Sequence, residues 1–275
     1  MKIAVIGLGL IGASLAKALG QKAHIIGIDQ SSLVIRQALE DKVISEGGTD
    51  LSLTSSCDMV ILAVPVGSII ETALRVIGHI GKDTIITDTG STKAVIVEQI
   101  DRAFPSFVGS HPIAGKENPG YTHSQADLFT NAMTIITPSE STRHDCIEKV
   151  RQIWEDCGSK THIMDPEKHD RLMAIISHMP HLLSYTSMSL AGDLHIHRQL
   201  LGAGFRDFTR IAASDPIMWR DIFLDNRENI LPLIDSYMKE LKYIRTLIDE
   251  CRSQELEAAL SSYAQIKRGL YADSR

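Results

Sequence analysis

The sequence predicts an α/β fold with a mostly parallel sheet for residues 1–165 and an all-α fold for residues 166–275. Two observations carry this. Short β-branched runs alternate with helical patterns through the first part, as βαβ units require. After "MDPEKHD" the strand runs stop and long helical periods take over. A third observation, the glycine spacing in "VIGLGLIGASL", bears on what the first part binds.

Strands are expected over Lys2–Ile6, His24–Ile28, Asp58–Val64, Thr84–Asp88, Phe107–Gly109, Met133–Thr137 and Thr161–Met164. Helical spacing of apolar residues falls between them at Ile11–Leu19, Leu33–Asp41, Ser68–Ile77, Lys93–Ala103 and Arg143–Asp156. Beyond residue 165 the helices expected are Pro166–Gly192, then, after the joint "LGAGF", Pro216–Cys251 and Glu255–Gly269. "SDPIMWRDI" carries a helix start, with Ser214 or Asp215 as N-cap and Pro216 at the first helical position. Leucine, isoleucine and tyrosine recur along the C-terminal helices, and a second subunit is a place to bury them. A homodimer is therefore expected.

The 275 residues are 44% hydrophobic and 23% charged with a net charge of -6, the composition of an ordinary globular protein. That balance supplies no basic face for nucleic acid or anionic lipid. Cys57, Cys146, Cys157 and Cys251 form no C-x-x-C pair, which argues against a disulfide framework or a cysteine zinc site and suits a reducing cytosol. The N-terminal "MKIAVIGLGLIGASLAKALG" superficially resembles a signal peptide, but Gly7, Gly9, Gly12 and Lys17 interrupt its apolar run. No other segment approaches the ~20 apolar residues of a membrane span. A cytoplasmic protein is expected.

"GLGLIG" places Gly7, Gly9 and Gly12 between a strand and a helix, the context in which a G-x-G-x-x-G run cradles a pyrophosphate. Leu10 and Ile11, at the helix start, share that cofactor-binding assignment. Asp29 ends the next strand, 17 positions after Gly12, a spacing suited to a carboxylate that bonds ribose hydroxyls. A carboxylate there repels a 2′-phosphate, so NAD is expected over NADP and a Rossmann-type dinucleotide-binding domain follows. Asp29 is also readable as the N-cap of "SSLVIRQ". Val64 and Pro65, at a later strand end, are candidate backbone contacts to the cofactor.

"TDTGSTK" sets Ser91 and Lys93 beyond one strand end and "GSHPIAG" sets His111 beyond another. Such ends converge on the reactive end of a bound dinucleotide. A histidine can accept the hydroxyl proton when hydride leaves an alcohol-like centre. By itself, His111 reads rather as a surface histidine whose loop Pro112 fixes. "SHMPH" brings Ser177, His178 and His181 into one turn, and Pro180 should kink the helix there. H-x-x-H can chelate zinc, but no third ligand lies at familiar spacing, so no metal is assigned. In "GFRDFTR", Arg210 suits bidentate binding of a carboxylate, although Arg206, Asp207 and Arg210 are also readable as a surface ion-pair set. Trp219 reads as a packed residue, and "HIH" at 195–197 as solvated surface.

The motifs "GLGLIGASLAKAL", "TDTGSTK", "GSHPIAGKE", "ISHMPH" and "GFRDFTRIAASDPIMWRDI" occur in the order found in prephenate/arogenate dehydrogenases, and the chain resembles that family over nearly its whole length. The resemblance implies a Rossmann domain followed by an all-α dimerisation domain, and oxidative decarboxylation of the small molecule prephenate by NAD to 4-hydroxyphenylpyruvate in tyrosine biosynthesis. It implies His111 as the base for the ring hydroxyl, with Ser91 holding that histidine in register. Arg210 would bind a substrate carboxylate, and His181, with Ser177 and His178, would line the side-chain pocket. Some arogenate-preferring relatives lack the second histidine of S-H-x-P-H, so His181 favours prephenate. An arogenate or dual-specificity cyclohexadienyl dehydrogenase is the alternative. A β-hydroxyacid dehydrogenase would need a lysine base where "ISHMPH" stands. A non-catalytic NAD-binding redox sensor would not need His111, Ser91 and Arg210 together. Lys116 departs from the family's common "HPIAGTE", and the resemblance assigns it no role. With the sequence ending at Arg275, neither an ACT regulatory domain nor a chorismate mutase domain is expected.

Overall fold

The computed structural model describes residues 1–116, 118–192 and 198–270, which form two compact units, Met1–Arg227 and Glu228–Arg275. In the first unit the chain runs β1 (Lys2–Ile6), α1 (Leu10–Leu19), β2 (His24–Ile28), α2 (Ser32–Glu40) and β3 (Glu46–Gly48). It continues through β4 (Met59–Leu62), α3 (Ile69–Ile77), β5 (Ile85–Asp88), α4 (Ala94–Asp101) and β6 (Phe107–Ile113). After β7 (Met133–Thr137), α5 (His144–Asp156) and β8 (Lys160–Ile163) the helices begin. The strands join in the order β3-β2-β1-β4-β5-β6-β7-β8. Among the described residues only the β6–β7 pair is antiparallel, with His111 opposite Ile135.

The strand sequences follow from their burial. "KIAVI" and "MVIL" lack polar alternation because β1 and β4 are covered on both faces. One apolar cluster gathers Leu15, Phe129 and Trp154 on one face, and the other gathers Ile69, Val76 and Phe107. The strand order reverses between β1 and β4, which opens a crevice at their C-terminal ends. Strand β3, "EGG", was not expected from the sequence because it has no β-branched residue. It forms because glycine lets it lie close: a Cβ on Gly47 would sit 2.8 Å from the Gly27 carbonyl oxygen.

The helical segment continues with α6 (Pro166–Met173), a π-helical turn over Ala174–His178, and α7 (Met179–Gly192). Asp165 caps α6 by accepting from the Lys168 N–H at 2.8 Å, and Pro166 follows at the first helical position. The distortion expected at Pro180 takes the form of that π turn, where the Met179 N–H reaches back five residues to the Ala174 carbonyl. The wider turn suits a proline, which has no N–H to donate and crowds the preceding turn. Then come α8 (Ala203–Thr209), α9 (Pro216–Asp225) and the start of α10 (Arg227–Asp249). Asp215 is the N-cap of α9, accepting from the Ile217 N–H. Trp219 and Ile222 of α9 join Val66 and Ile69 in one buried cluster. The single helix expected over 216–251 is broken at Asn226, whose side chain is buried and bonded elsewhere.

The second unit holds the remainder of α10 and α11 (Ser253–Gly269). Leu247 is buried, whereas Leu231, Leu241, Ile248, Leu260 and Ile266 are exposed. Among the described residues no helix is long and apolar enough to cross a membrane. His195 and His197 lie outside the described residues.

The glycine turn gives a stability test. A Cβ on Gly12 would overlap the Gly7 carbonyl oxygen, while one on Gly9 meets no protein atom within 4 Å. Gly12→Ala should lower stability by about 2 kcal/mol or more, read as a lower Tm in thermal denaturation, and Gly9→Ala should leave the Tm of the protein alone nearly unchanged.

Candidate active site

The nucleotide cradle is built by β1, α1 and β2. Gly7 takes a φ of 90°, open to glycine at little cost, and turns the chain from β1 toward the helix. Ala63 and Val64, just past β4, stand against it, with Val64 Cγ1 3.2 Å from where a Gly7 Cβ would be. Pro65 follows and is exposed. No side chain caps α1, so the N–H groups of its first turn, from Leu10 through Gly12, remain for an anion. The Asp29 carboxylate accepts from the Leu8 N–H at 2.7 Å and from the Ser31 N–H at 2.8 Å. It is therefore held at the end of β2 beside the glycine loop. The N-cap of α2 is Ser31, not Asp29. The space over Gly9, the uncapped helix start and a fixed carboxylate together fit a dinucleotide.

Two strands along, β5 and β6 carry a second cluster. Lys93 has no exposed surface, and its ammonium bonds the Asp88 carboxylate and, at 3.1 Å, the Ser110 carbonyl. Asp88 also accepts from the Ser110 and Gly90 N–H groups. The Ser110 hydroxyl donates to the Asp88 carbonyl and accepts from the Trp154 indole. This network fixes the strand end from which His111, half-buried, emerges.

The His111 ring meets a partner that the sequence reading missed. Its Nδ1 lies 2.8 Å from His169 Nε2, and His169 Nδ1 lies 2.8 Å from Asp170 Oδ1. Asp170 also accepts from the N–H groups of Lys93 and Ala94, at 2.8 and 2.9 Å. With a carboxylate at one end, the tautomers follow in order. His169 donates from Nδ1 to Asp170, so its Nε2 accepts from His111 Nδ1–H, and His111 Nε2 is left as an acceptor. Burial, reinforced by the neighbouring His169 and Lys93, holds the His111 pKa well below its usual 6.5. Burial lowers His169 as well, against the pull of Asp170. His111 is thus neutral near pH 7, as a base must be. Among the described residues Ser91, half-buried in the loop between β5 and α4, makes no hydrogen bond to His111. His169 holds that ring instead.

The "SHMPH" residues separate. His181 donates from Nδ1 to the Ser177 carbonyl at 2.8 Å and stacks on Trp219, ring centroids 3.6 Å apart, which leaves its Nε2 as an acceptor. Burial lowers its pKa, and the nearby Arg210 guanidinium adds to this. His178 is buried, accepts from Asn226 at 2.9 Å and is pushed down to about 4 by desolvation. Its placement is that of a packing residue that helps fix Asn226 and Trp219. Asn226 in turn donates to the Asp170 carbonyl at 2.8 Å. Arg210, exposed on the turn after α8, lines a cavity of about 550 Å³ with Lys116, Asn118, Thr122, His123, Ser124 and Gln125. No group of three metal-ligating side chains occurs among the described residues.

His169 and Asp170 escaped the sequence reading because "EKHD" resembles any exposed first turn. The fold alone sets the Asp170 carboxylate at the start of α4, where it meets the Lys93 N–H 77 positions back in sequence.

A dinucleotide cradle and a neutral histidine at strand ends of one mostly parallel sheet, facing a helical segment that carries an arginine, define an oxidoreductase that works with a nucleotide cofactor. The chain belongs to the prephenate dehydrogenase family. The family model described as the prephenate dehydrogenase nucleotide-binding domain matches residues 12–163, and that described as its dimerization domain matches residues 165–262. Prephenate dehydrogenase of Bacillus subtilis is 35% identical over 285 residues, spanning 98% of this chain and 76% of the relative. Cyclohexadienyl dehydrogenase of Zymomonas mobilis is 35% identical over 260 residues, spanning 90% of this chain and 88% of the relative. The crystal structure of Aquifex aeolicus prephenate dehydrogenase in complex with hydroxyphenyl propionate and NAD+ superimposes with a TM-score of 0.90 at 34% identity, covering 98% of this chain and 97% of that one.

The histidine shifts give a pH test. The pKa values of His111, His169, His178 and His181 all lie below 6.5, so the unfolded chain binds more protons than the folded one. Their contribution to stability is complete above pH 6.5 and is lost as pH falls toward about 4. Denaturant midpoints should drop steadily over that window, and His178→Gln should flatten the drop. Asp170→Ala, which strips the acceptor from two buried donors and one half-buried donor, should cost about 3 kcal/mol, measured in the same titration.

Proposed function

We propose that this protein oxidises prephenate with NAD to 4-hydroxyphenylpyruvate, carbon dioxide and NADH, with His111 as the base. The observation that carries the reading is the Asp170–His169–His111 line, which ends in an unprotonated His111 Nε2. The Aquifex complex supports it, since that protein holds NAD+ and a phenol with a carboxylate tail, the skeleton of the proposed product.

NAD, when bound in the cradle, would supply the hydride acceptor for the ring carbon that bears the hydroxyl. His111 Nε2 hydrogen-bonds that hydroxyl and takes its proton as the carbon becomes a carbonyl. The imidazolium so formed is stabilised through His169 by the Asp170 carboxylate. The ring is then a dienone with a carboxylate at the opposite carbon, and loss of carbon dioxide sends that bond's electron pair into the ring and makes it aromatic. The proton on His111 returns to the same oxygen, so none is gained or lost overall. Arg210 grips a substrate carboxylate and His181 Nε2 faces the side chain, with Ser177 as the backbone anchor of that imidazole. Ser91, at the strand end beside β6, is placed to meet the hydroxyl once substrate is bound. Gly7, Gly9, Leu10, Ile11 and Gly12 hold the pyrophosphate of NAD, Asp29 the ribose hydroxyls, and Val64 and Pro65 line the opposite wall.

We further propose that residues 166–275 form the dimerisation domain, as the family match over 165–262 supports, and that the exposed leucines and isoleucines of the second unit pack against a second copy. Work in the cytoplasm agrees with four cysteines that are all free. The Zymomonas relative, a cyclohexadienyl dehydrogenase at the same 35% identity, favours a second reading in which arogenate is also a substrate.

NADH formation assayed with prephenate and arogenate, each with NAD and NADP, tests the reading; turnover of neither would end it. His111→Asn should lower kcat by about 10²–10⁴, whereas Arg210→Ala should mainly raise KM. Because the His111 pKa is depressed, kcat/KM for prephenate should fall on the acid side only below pH 6.5. His169→Phe should lower kcat by at least about tenfold and move that acid limb, since it removes the partner that orders the His111 tautomer.

A further inference from the structure

We propose that Asp225 is a positioning residue that, through the Thr92 hydroxyl, holds the loop carrying Ser91 in register with the reacting hydroxyl. The inference rests on the reading of this chain as a prephenate dehydrogenase in which Ser91 meets that hydroxyl. Ser91 lies in the loop between β5 and α4, and the loop is pinned on both of its sides. On one side the Thr89 N–H bonds the Leu62 carbonyl at 3.1 Å and the Gly90 N–H bonds the Asp88 carboxylate at 2.8 Å. On the other, the buried Thr92 donates its hydroxyl to Asp225 Oδ2 at 3.2 Å, next to the Lys93 N–H that Asp170 holds. Thr92 directly follows Ser91 in sequence, so its bond to α9 fixes where Ser91 stands.

Helix α9 reaches a second strand end in the same way. The Asp221 carboxylate, one turn before Asp225, lies 3.1 Å from where a Gly67 Cβ would be, in the loop after β4. On the same helix Trp219 carries the stacked His181 ring. One helix thus supports His181 at the side-chain end of the substrate and, through Asp225, Ser91 at the hydroxyl end. Stability does not account for the acid. Asp225 is half-buried, and burial pushes its pKa above the ordinary carboxylate value. Asp221 and Asp170 add to that rise, while the Thr92 hydroxyl and Arg227 oppose it. A carboxyl whose pKa rises on folding subtracts from stability once it ionises. An acid kept at this place is explained by what it holds.

The test is calorimetric titration of 4-hydroxyphenylpropionate, and of phenylpropionate, which lacks the hydroxyl, into protein saturated with NAD. It is paired with kcat for prephenate. Thr92→Val, of nearly the same shape but without a hydroxyl, should weaken the hydroxylated ligand about fivefold and the other by less than about twofold. It should lower kcat about tenfold, and in a Ser91→Ala background by less than about twofold further. Asp225→Leu should act like Thr92→Val. Thr92→Ser and Asp225→Asn, which keep donor and acceptor, should retain the wild-type ratio of the two Kd values. Equal weakening of the two ligands, weakening of neither, or losses that multiply in the Ser91→Ala background would overturn the proposal. If wild type binds the phenol but oxidises neither prephenate nor arogenate, the proposed function fails and the ligand ratio still decides for or against Asp225. Binding of neither ligand by wild type defeats both.

Discussion

The carboxylate of Asp170 is the constraint on which the site depends. It accepts the backbone N–H groups of Lys93 and Ala94 at the start of α4, and the imidazole of its own neighbour His169. Helix α6 is thereby tied to the loop after β5, and His169 is brought against His111 on β6. A negative charge at the N-terminus of α4 is also well placed with respect to the helix dipole. One side chain caps one helix, docks a second and orders two histidine tautomers, and its own carbonyl is held by Asn226.

Beneath that carboxylate lies a buried cation. Lys93 has no exposure, yet it is matched by Asp88 and by the Ser110 carbonyl, so its desolvation is compensated by charge-assisted bonds. Burial lowers its pKa while Asp88 and Asp170 pull the other way. Its positive charge acts on both histidines in the direction that keeps them neutral. His111 is thus tuned first by its burial and then by the neighbouring His169, Lys93 and His178. A fixed charge such as that of Lys93 needs no rearrangement when a proton moves, which is the condition for electrostatic preorganisation.

The helical segment contributes through a local irregularity. The π turn before Pro180 directs His178 inward to Asn226 and leaves His181 stacked on Trp219 with one nitrogen as acceptor. A regular helix would set the two histidines on one face, as their i, i+3 spacing suggests. Here the same five residues give one packing imidazole and one that adjoins the arginine-bearing wall. Extra width in a helix, with functional side chains at its edge, is the usual context of a π turn.

Much of this was legible in the residues alone. The alternation of strand and helix, the mostly parallel sheet, the glycine run with Asp29, and His111 as a base candidate all follow from local patterns. Periodicity, turn chemistry and motif spacing act over a few residues, and no distant partner is needed to read them. The tertiary structure decided what depends on distance along the chain. Strand β3 forms because two glycines approach, the break at Asn226 because its amide is claimed by Asp170 and His178, and the partner of His111 is His169 because Asp170 anchors α6 to α4. Hydrogen bonds between residues dozens of positions apart leave no periodic trace in the sequence, so the elements and the candidate His111 could be read from it but not the groups that hold that imidazole in place.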